Sequence, residues 1–481
     1  MYYVNLSNLD SVEHYKPSVL DISKGVLMID RLRSMISGVE ADFIDIRYEI
    51  KTETRIGFAG REIRNVGSNR TDGYAIRVGK NGGFSSATVT REEDVPRALQ
   101  LAVEGAETIV ATGGKKSVLA DVPVVVENIE LVLDGDPREI GIDGKIELLQ
   151  KYNDLMLDQP RIETTNLNYI EIGREKHYVN SEGTAVSQEI LTTNIAGEVI
   201  AKSGSLVQNI RVAIGGADGY NRLLSREDVF SKRAQIAAEL LDAEPVKGGT
   251  YNVVLSPMLA GVFTHEAFGH FSEADIIEDN PSLREKMALG EKLGSDVITI
   301  VADSTMPGQI GYYEYDDEGV AVKPVTLMDR GVLTGRLHSR RTASAFGEPV
   351  SGHTVAEDMR FEPIVRMGTI YIKPGEMTLD DLLAELGDGL YLIDGKGGQT
   401  SGENFTFGAQ YGFKVKDGRI GPMIRDINIM GNLFTTLQNI EAIGNDMELS
   451  ERGGCGKGQL NIKSALGSPH ILVRNMVVGG V

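Results

Sequence analysis

Residues 252–271 read NVVLSPMLAGVFTHEAFGHF, and this stretch decides how the second half of the chain folds. The apolar run at residues 252–255 predicts a buried strand. Ser256 and Pro257 predict the start of a helix, because serine caps a helix and proline suits its first turn. The helix is apolar nearly all round until two histidines and a glutamate interrupt it, which is typical of a buried helix. A strand that leads directly into a buried helix is therefore expected.

Three ionisable groups, His265, Glu266 and His270, lie on this helix. Burying them is costly unless they are paired, neutral or bound to a metal. Histidines five residues apart are separated by about 140° on an ideal α-helix, so both rings can face one ion only if the helix bulges or unwinds. Gly269 accepts unusual backbone dihedrals and is placed to allow this distortion. The spacing predicts a distorted helix that binds a metal.

A third ligand is missing next to the two histidines in the sequence, although a catalytic zinc site takes three protein ligands and leaves the fourth position to water. Cys455 is the sole cysteine, in a loop whose glycines would let the backbone approach an ion. Glu273 and Asp275, just beyond His270, compete with it or orient the ligands from outside. Glu266 is the candidate general base, because the residue after a zinc-bound histidine projects towards the open coordination site.

The sequence around this unit predicts an α+β protein of two domains. Helical periodicity is found in four places, residues 24–37, 92–110 and 144–157 and a stretch that starts at Ser225. Runs within residues 163–179 predict two successive strands, and proline with paired glycine at residues 244–249 indicates a domain boundary. We predict an N-terminal domain, residues 1–243, with an antiparallel sheet and helices. The C-terminal domain, residues 244–481, is predicted to be β-rich and barrel-like and to contain the metal-binding helix, although its short β-like runs also fit a sandwich.

The composition is that of a soluble protein with an acidic surface. Lys and Arg total 49 against 69 Asp and Glu, which gives a formal charge of −20. Such a surface repels phosphate backbones, so direct nucleic-acid binding is disfavoured. No basic and apolar leader and no long uncharged apolar run occurs, so neither a signal peptide nor a membrane span is expected. A lone cysteine cannot form an intrachain disulfide, and a cytoplasmic location is the expectation.

Several other polar stretches do not predict this chemistry. Residues 395–402 and 453–458 are rich in glycine and contain lysine, but they lack the order of a phosphate-binding loop. The acidic run at residues 316–318 predicts a solvated turn more readily than a second metal site. Arg340 and Arg341 fit either a carboxylate ligand or that acidic run. Ordinary surface or core roles are predicted for His14, His177 and His470, while His353 stays ambiguous.

Three segments resemble the TldD/PmbA family of metallopeptidases, also called modulators of DNA gyrase. They are His265-Glu266-Ala267-Phe268-Gly269-His270, Tyr315-Asp316-Asp317-Glu318-Gly319 and Gly454-Cys455-Gly456-Lys457-Gly458-Gln459. The likeness spans most of the chain. TldD-type members carry His-Glu-x-x-x-His and a downstream cysteine, whereas their PmbA-type (TldE) partners lack the motif. The chain is therefore similar to the catalytic, TldD-type subunit.

The resemblance implies a site and a set of partners. It makes His265, His270 and Cys455 the zinc ligands and Glu266 the catalytic base. It also implies cleavage of unfolded polypeptides inside an enclosed dimer, usually a heterodimer of TldD-type and TldE-type subunits. The sequence does not choose between that heterodimer and a homodimer, and the gyrase name implies no direct contact with DNA.

A zinc-dependent peptidase is the predicted function. Zinc would polarise the scissile carbonyl and lower the pKa of its bound water, while Glu266 moves the water proton to the leaving amine. Each residue alone is more often an ordinary core residue, but the combination favours a metal. Two alternatives stay open: a metal-dependent amidohydrolase that acts on small amides, and a non-catalytic, zinc-stabilised binding or chaperone-like subunit. A zinc ion bound by four protein ligands would favour the non-catalytic subunit.

Overall fold

The computed structural model describes residues 22–480, and its N-terminal half is built on one sheet of seven strands. The strands are β1 (Phe43–Ala59), β2 (Glu62–Lys80), β3 (Gly83–Val89), β4 (Val126–Ile129), β5 (Ile162–Asn180), β6 (Ala185–Ser203) and β7 (Leu206–Gly216). They lie in the order β3-β2-β1-β5-β6-β4, and β7 also pairs with β6. All pairs are antiparallel except that of β4 with β6. The predicted antiparallel sheet is confirmed.

All four predicted helices of this half are present, and they pack on two separate parts of the sheet. They are α1 (Ile22–Ile36), α2 (Val95–Ala111), α3 (Ile142–Leu157) and α4 (Glu227–Glu239). Ile44 and Ile46 of β1 belong to the core under α1 and α2. Ile56 and Phe58, further along the same strand, belong to the core under α3 and α4. The long strands therefore support two hydrophobic cores.

The C-terminal half contains a closed barrel of five strands. Its strands in chain order are β8 (Glu244–Pro245), β9 (Gly249–Leu255), β10 (Ile300–Ala302), β11 (Val325–Asp329), β12 (Val332–Leu333), β13 (Thr354–Val355), β14 (Ile364–Val365), β15 (Thr369–Ile372), β16 (Gly389–Ser401), β17 (Asn404–Lys416), β18 (Arg419–Arg425), β19 (Ile427–Asn432), β20 (Ile440–Ile443), β21 (Glu448–Leu449), β22 (Ala465–Ser468) and β23 (Ile471–Gly479). The barrel order is β16-β9-β23-β19-β17, and it closes because β17 also pairs with β16. A second sheet has the order β12-β11-β10-β15-β22-β21. The α+β class with a barrel-like C-terminal part is confirmed, while the division at residue 244 stays a prediction.

A short helix after β9 lies between the barrel and the second sheet. The helices of this half are α5 (Pro257–Phe263), α6 (Ala274–Ile277), α7 (Pro281–Lys286), α8 (Arg340–Phe346), α9 (Leu379–Leu386) and α10 (Leu433–Gln438). The Ser256 side chain caps α5 by accepting a hydrogen bond from Leu259 N at 3.5 Å. α5 contacts both β16 and β22, and a Cβ on Gly261 would lie 2.7 Å from Leu466 Cδ1. None of the helices within residues 22–480 has the length and apolar character that a membrane crossing requires.

One long strand, β5, replaces the two strands predicted within residues 163–179, so that prediction was wrong. The strand continues because neighbouring elements neutralise the charges at its middle. Arg174 Nε donates a hydrogen bond to Glu49 Oε1 at 2.6 Å, and Lys176 Nζ donates one to Asp317 Oδ1 at 2.7 Å. The charged residues 174–176 are thus part of one continuous strand.

The acidic run at residues 316–318 is also buried, and the prediction of a solvated turn was wrong. Asp317 Oδ2 lies 3.3 Å from Arg47 Nη1 on β1. Arg77 Nη1 on β2 donates a hydrogen bond to Glu318 Oε1 at 2.7 Å. Because these cations belong to the N-terminal sheet, the run joins the two halves of the molecule through buried ion pairs.

Asp317→Asn is expected to lower the free energy of unfolding by about 3–5 kcal/mol, because it leaves the buried charges of Arg47 and Lys176 without their carboxylate. Burial favours a higher pKa for Asp317, but Arg47, Lys176 and Arg174 hold that pKa below its ordinary value. The stabilisation is therefore present above the unfolded-state pKa and is lost as the pH falls towards the folded-state pKa.

Urea denaturation at neutral pH measures the effect of Asp317→Asn. The matched control is Asp242→Asn, which removes an exposed carboxylate paired with Arg161 and is expected to change the stability little. Similar unfolding midpoints for the two variants would contradict the role assigned to Asp317.

Candidate metal centre

The two histidines of the central helix face each other because the helix changes its winding between them. α5 continues as a π-helical turn at Thr264–Phe268 and then as a 3₁₀ turn at Gly269–Ser272. The ring centroids of His265 and His270 lie 5.3 Å apart, with the ring planes at 86°. The predicted distortion of the helix is confirmed.

Gly269 has a different part in this distortion from the one predicted. Its φ of −57° and ψ of −43° are ordinary helical values that any residue adopts, so the expected use of unusual dihedrals was wrong. A Cβ on Gly269 would instead lie 2.1 Å from Met367 Sδ and 3.1 Å from Ile370 Cδ1. The glycine lets the distorted helix pack closely against β15 and the residues before it, since a Cβ would displace the Met367 side chain.

Cys455 lies opposite the two histidines, on a loop between β21 and β22. Its backbone is fixed by reciprocal hydrogen bonds with Ile462, of 3.0 Å from Cys455 N and 3.2 Å from Ile462 N. Cys455 Sγ lies 3.3 Å from His270 Nε2. The potential ligand atoms of His265, His270 and Cys455 all lie within 4.8 Å of one another. Residues almost two hundred positions apart in the sequence thus form one compact cluster.

The other two candidate ligands, Glu273 and Asp275, bind protein groups. Glu273 is fully buried, and its Oε2 accepts a hydrogen bond from His270 Nδ1 at 3.1 Å. Asp275 Oδ1 accepts one from Lys457 Nζ at 2.7 Å. Glu273 therefore orients the His270 ring through Nδ1, and the Nε2 atom of His270 is left to face Cys455.

Two cations that sequence reasoning did not connect with this site hold Glu273 in its charged form. Lys457 Nζ lies 3.1 Å from Glu273 Oε2, and Arg366 Nε lies 3.7 Å from Glu273 Oε1. Burial favours a higher pKa for Glu273, but Lys457, His270 and Arg366 lower it to about 2. The position of Lys457, two residues after Cys455, was the available signal in the sequence.

The metal-free cluster favours a thiolate paired with a protonated imidazole. Burial raises the pKa of the Cys455 thiol, but hydrogen bonds with His265 and His270 lower it to about 5. Burial favours a lower pKa for His270, but Cys455 and Glu273 raise it to about 10. The site therefore stabilises a negatively charged sulfur, the form of cysteine that binds metals.

The donor set fits a zinc ion. One thiolate and two imidazoles are ligands that zinc accepts, and three protein ligands leave one position for water. His265 Nδ1 is buried and has no hydrogen-bond partner within residues 22–480. Such an unpaired nitrogen is costly in a protein interior, and a metal is one means of removing that cost from a histidine ring.

Glu266 lies beside the cluster. Its Oε2 is 3.7 Å from His270 Nε2, and its side chain is 29% exposed. Its backbone carbonyl accepts a hydrogen bond of 3.0 Å from Thr400 Oγ1 on β16. The carboxylate therefore lies where it can contact both the cluster and water.

Most of the remaining polar residues singled out in the sequence have structural partners. Arg340 pairs with Glu182, and Arg341 with Glu278. The buried histidines have hydrogen bonds of their own: His177 with Ser187, His353 with the Ser351 carbonyl, and His470 with Asp446 and Tyr391. Residues 395–401 belong to β16. His14 lies outside the described residues.

Alkylation of metal-free protein by iodoacetamide tests the charge state of Cys455. Because its pKa is lowered to about 5, the thiolate is expected to form as the pH rises through about 5, and the reaction rate should level off well below pH 8.5, the ordinary thiol pKa. The urea-unfolded protein is the control and should show the ordinary pKa. A folded protein whose rate rises only near pH 8.5 would contradict the assigned charge state.

Comparisons with known proteins cover most of the chain. Models of the PmbA/TldA metallopeptidase match as domain 1 at residues 44–109, as the central domain at 135–243 and as the C-terminal domain at 248–480. A metalloprotease of Synechocystis is 36% identical over 92% of this chain and 95% of its own. The chain belongs to the PmbA/TldD metallopeptidase family. A zinc metalloprotease TldD homologue of Saccharolobus solfataricus is 30% identical over 92% of this chain and 97% of its own.

Solved structures of PmbA/TldD relatives share the fold. TldE from Thermococcus kodakarensis superposes with a TM-score of 0.76 at 19% identity, covering 94% of this chain and 100% of that one. A Thermotoga maritima protein described as a proposed modulator of a DNA gyrase has the same TM-score at 18% identity, covering 95% of this chain and 100% of its own. At these identities the likeness establishes the architecture.

Proposed function

We propose that this protein is a zinc-dependent peptidase whose metal is held by His265, His270 and Cys455, with Glu266 as the general base. The observation that carries the proposal is the convergence of two nitrogens and one sulfur within 4.8 Å of one another. A peptidase activity is also in keeping with relatives that are named metalloproteases.

Different residues of the chain have different roles in the proposed hydrolysis. A zinc ion, when bound, would supply Lewis acidity towards the scissile carbonyl and its attacking water. Glu266 would remove the proton from that water and give it to the leaving amine, since its carboxylate lies beside the cluster and is partly exposed. Glu273 would keep the His270 ring in place through its hydrogen bond to Nδ1.

The substrate that we propose is the peptide bond of an unfolded polypeptide, cleaved in the cytoplasm by a dimer. The superposition on TldE supports a TldE-type subunit as the partner, and a homodimer is the other form to test. Within residues 22–480 the cluster has three potential ligands rather than four, which favours a catalytic zinc over a structural one and argues against the non-catalytic alternative. Product analysis separates peptides from small amides as substrates.

The test combines metal analysis with hydrolysis. Wild-type protein, alone and mixed with a TldE-type subunit, is analysed for bound metals by mass spectrometry and incubated with a denatured polypeptide. We expect about one zinc per chain and peptide products that disappear on treatment with a chelator. A well-folded protein that binds no zinc under any of these conditions, and cleaves nothing after zinc is added, would overturn the proposal.

A further inference from the structure

Four cations on β7, β16 and the loop that contains Cys455 have no carboxylate partner. They form a group that we call the basic rim: Arg211, Lys396, Arg452 and Lys463. Within residues 22–480, no acidic side chain pairs with any of them, although the chain as a whole has a formal charge of −20. Lys396 and Lys463 are half-buried, and the two arginines are exposed.

Two members of the basic rim flank Cys455 on its own loop. Arg452 precedes the cysteine by three positions, and Lys463 directly follows Ile462, whose backbone pairs with Cys455. The two arms of the loop are close, since a Cβ on Gly453 would lie 1.7 Å from the Ser464 carbonyl oxygen. Arg452 and Lys463 are therefore attached to the same short backbone unit as the sulfur.

The other two members come from β16 and β7. Lys396 follows Gly395, where a Cβ would lie 2.8 Å from Val262 Cγ2 of α5. β16 thus runs along the helix that contains the histidines, and its Thr400 hydrogen-bonds the Glu266 carbonyl. Arg211 belongs to β7, and its Nη1 lies 3.6 Å from the position of a Cβ on Gly397. The basic rim is therefore formed by residues from both halves of the molecule.

The members of the rim act on one another electrostatically. Burial lowers the pKa of Lys463 to about 8, with contributions from Arg452, Arg55 and Lys51. Partial burial and Arg211 likewise lower the pKa of Arg452, although part of its side chain stays exposed to water. Burial and Arg211 also lower the pKa of Lys396, although Asp426 and Glu198 oppose them. Bringing like charges together without partners is unfavourable, and a bound anion would relieve it.

The carboxylates closest to the rim already have other partners. Glu53 pairs with Arg55, and Asp426 with Arg425. Glu198 accepts a hydrogen bond of 2.7 Å from Asn209 Nδ2. Glu53 and Asp426 therefore have arginine partners of their own, whereas Glu198 keeps a negative charge that partly offsets that of Lys396.

We propose that the basic rim binds a carboxylate of the substrate polypeptide next to the scissile bond, so that the site favours acidic peptides. The inference rests on the proposed peptidase function and names the class of its substrate. Arginine forms paired hydrogen bonds with carboxylates, and lysine adds a point charge. The carboxylate belongs either to an Asp or Glu side chain or to the C-terminus of the peptide, and the two sources can be separated by experiment.

Binding of labelled peptides tests the proposal without depending on turnover. Fluorescence anisotropy is measured on zinc-loaded and on metal-free Glu266→Gln protein with three short peptides. One contains glutamates and has an amidated C-terminus, the second has glutamines in their place, and the third is the glutamine peptide with a free C-terminus. We expect at least one carboxylate-bearing peptide to bind about tenfold more tightly than the neutral one, the combined effect of two or three partly exposed charge pairs.

Variants of the basic rim test whether its members cause the preference for a carboxylate-bearing peptide. Arg452→Gln combined with Lys463→Met should remove the preference for the carboxylate and leave binding of the neutral peptide unchanged. The control Lys247→Met removes an exposed lysine outside the rim and should retain the preference. Because Lys463 is a half-buried, unpaired cation, the double variant is expected to keep the wild-type thermal unfolding midpoint. Measuring that midpoint separates loss of the carboxylate site from misfolding.

The outcomes separate this inference from the proposed function. Equal binding of all three peptides, or a preference that survives the double variant, would overturn the basic rim as a carboxylate site even in an active peptidase. A preference that the double variant abolishes would support the site even if wild-type protein cleaves none of the peptides, and the proposed function would then fail separately. Tighter binding of the glutamate peptide assigns the side chain, and tighter binding of the free C-terminus assigns the terminal carboxylate.

Discussion

Cys455→Ser is expected to weaken zinc binding by more than about a hundredfold and to abolish peptide hydrolysis at ordinary zinc concentrations. A hundredfold is the upper end of what the loss of an outer partner costs a metal site, and Cys455 is a direct ligand in this account. Its thiol is already biased towards the thiolate by His265 and His270, whereas a serine hydroxyl stays protonated. Zinc affinity is measured by competition with a chromogenic chelator.

Glu273→Gln is the matched comparison for Cys455→Ser. It retains all three proposed ligands but replaces the carboxylate that accepts the hydrogen bond from His270 Nδ1, so zinc affinity should fall by about ten- to a hundredfold. The account thus predicts a graded series, with wild type tightest, Glu273→Gln intermediate and Cys455→Ser weakest. A serine variant with wild-type zinc affinity would remove Cys455 from the ligand set.

Glu266→Gln is expected to lower kcat by about a hundred- to ten-thousandfold while zinc content stays at the wild-type level. The amide keeps the shape of the side chain and the Thr400 hydrogen bond to the backbone carbonyl, but it cannot accept a proton from water. Hydrolysis of a denatured polypeptide gives kcat, and mass spectrometry of the purified variant gives its zinc content.

Measuring kcat and zinc content separately in Glu266→Gln distinguishes a catalytic base from a metal ligand. Loss of zinc together with activity would place Glu266 among the ligands, and full activity with zinc bound would require another base. Thr400→Val serves as a control, because it removes only the contact to the Glu266 carbonyl and is expected to have a much smaller effect on kcat.

The central helix could be predicted because its signals are local. Ser256 and Pro257 mark its start, the apolar run marks its burial, and the spacing of His265 and His270 demands a change of winding that the π-helical turn provides. Cys455 could be proposed as a neighbour because it is the sole thiol. Its actual position depends on a loop paired with Ile462, which nothing in the local sequence specifies.

Other features depend on contacts between distant parts of the chain. The acidic run appeared solvated because its partners, Arg47 and Arg77, lie more than two hundred residues earlier on β1 and β2. Gly269 appeared to serve an unusual conformation, whereas it lies so close to Met367 that a Cβ would force the methionine side chain to move. The closure of the barrel through β16 and β17 is likewise a pairing that hydrophobic periodicity cannot show.

The most direct test of the account is X-ray absorption at the zinc edge of the purified, zinc-loaded protein. The account predicts one sulfur at about 2.3 Å and nitrogen or oxygen neighbours at about 2.0–2.1 Å, with the outer scattering of two imidazoles. Cys455→Ser should remove the sulfur contribution. Zinc surrounded only by nitrogen and oxygen in the wild-type protein would contradict a metal centre built from His265, His270 and Cys455.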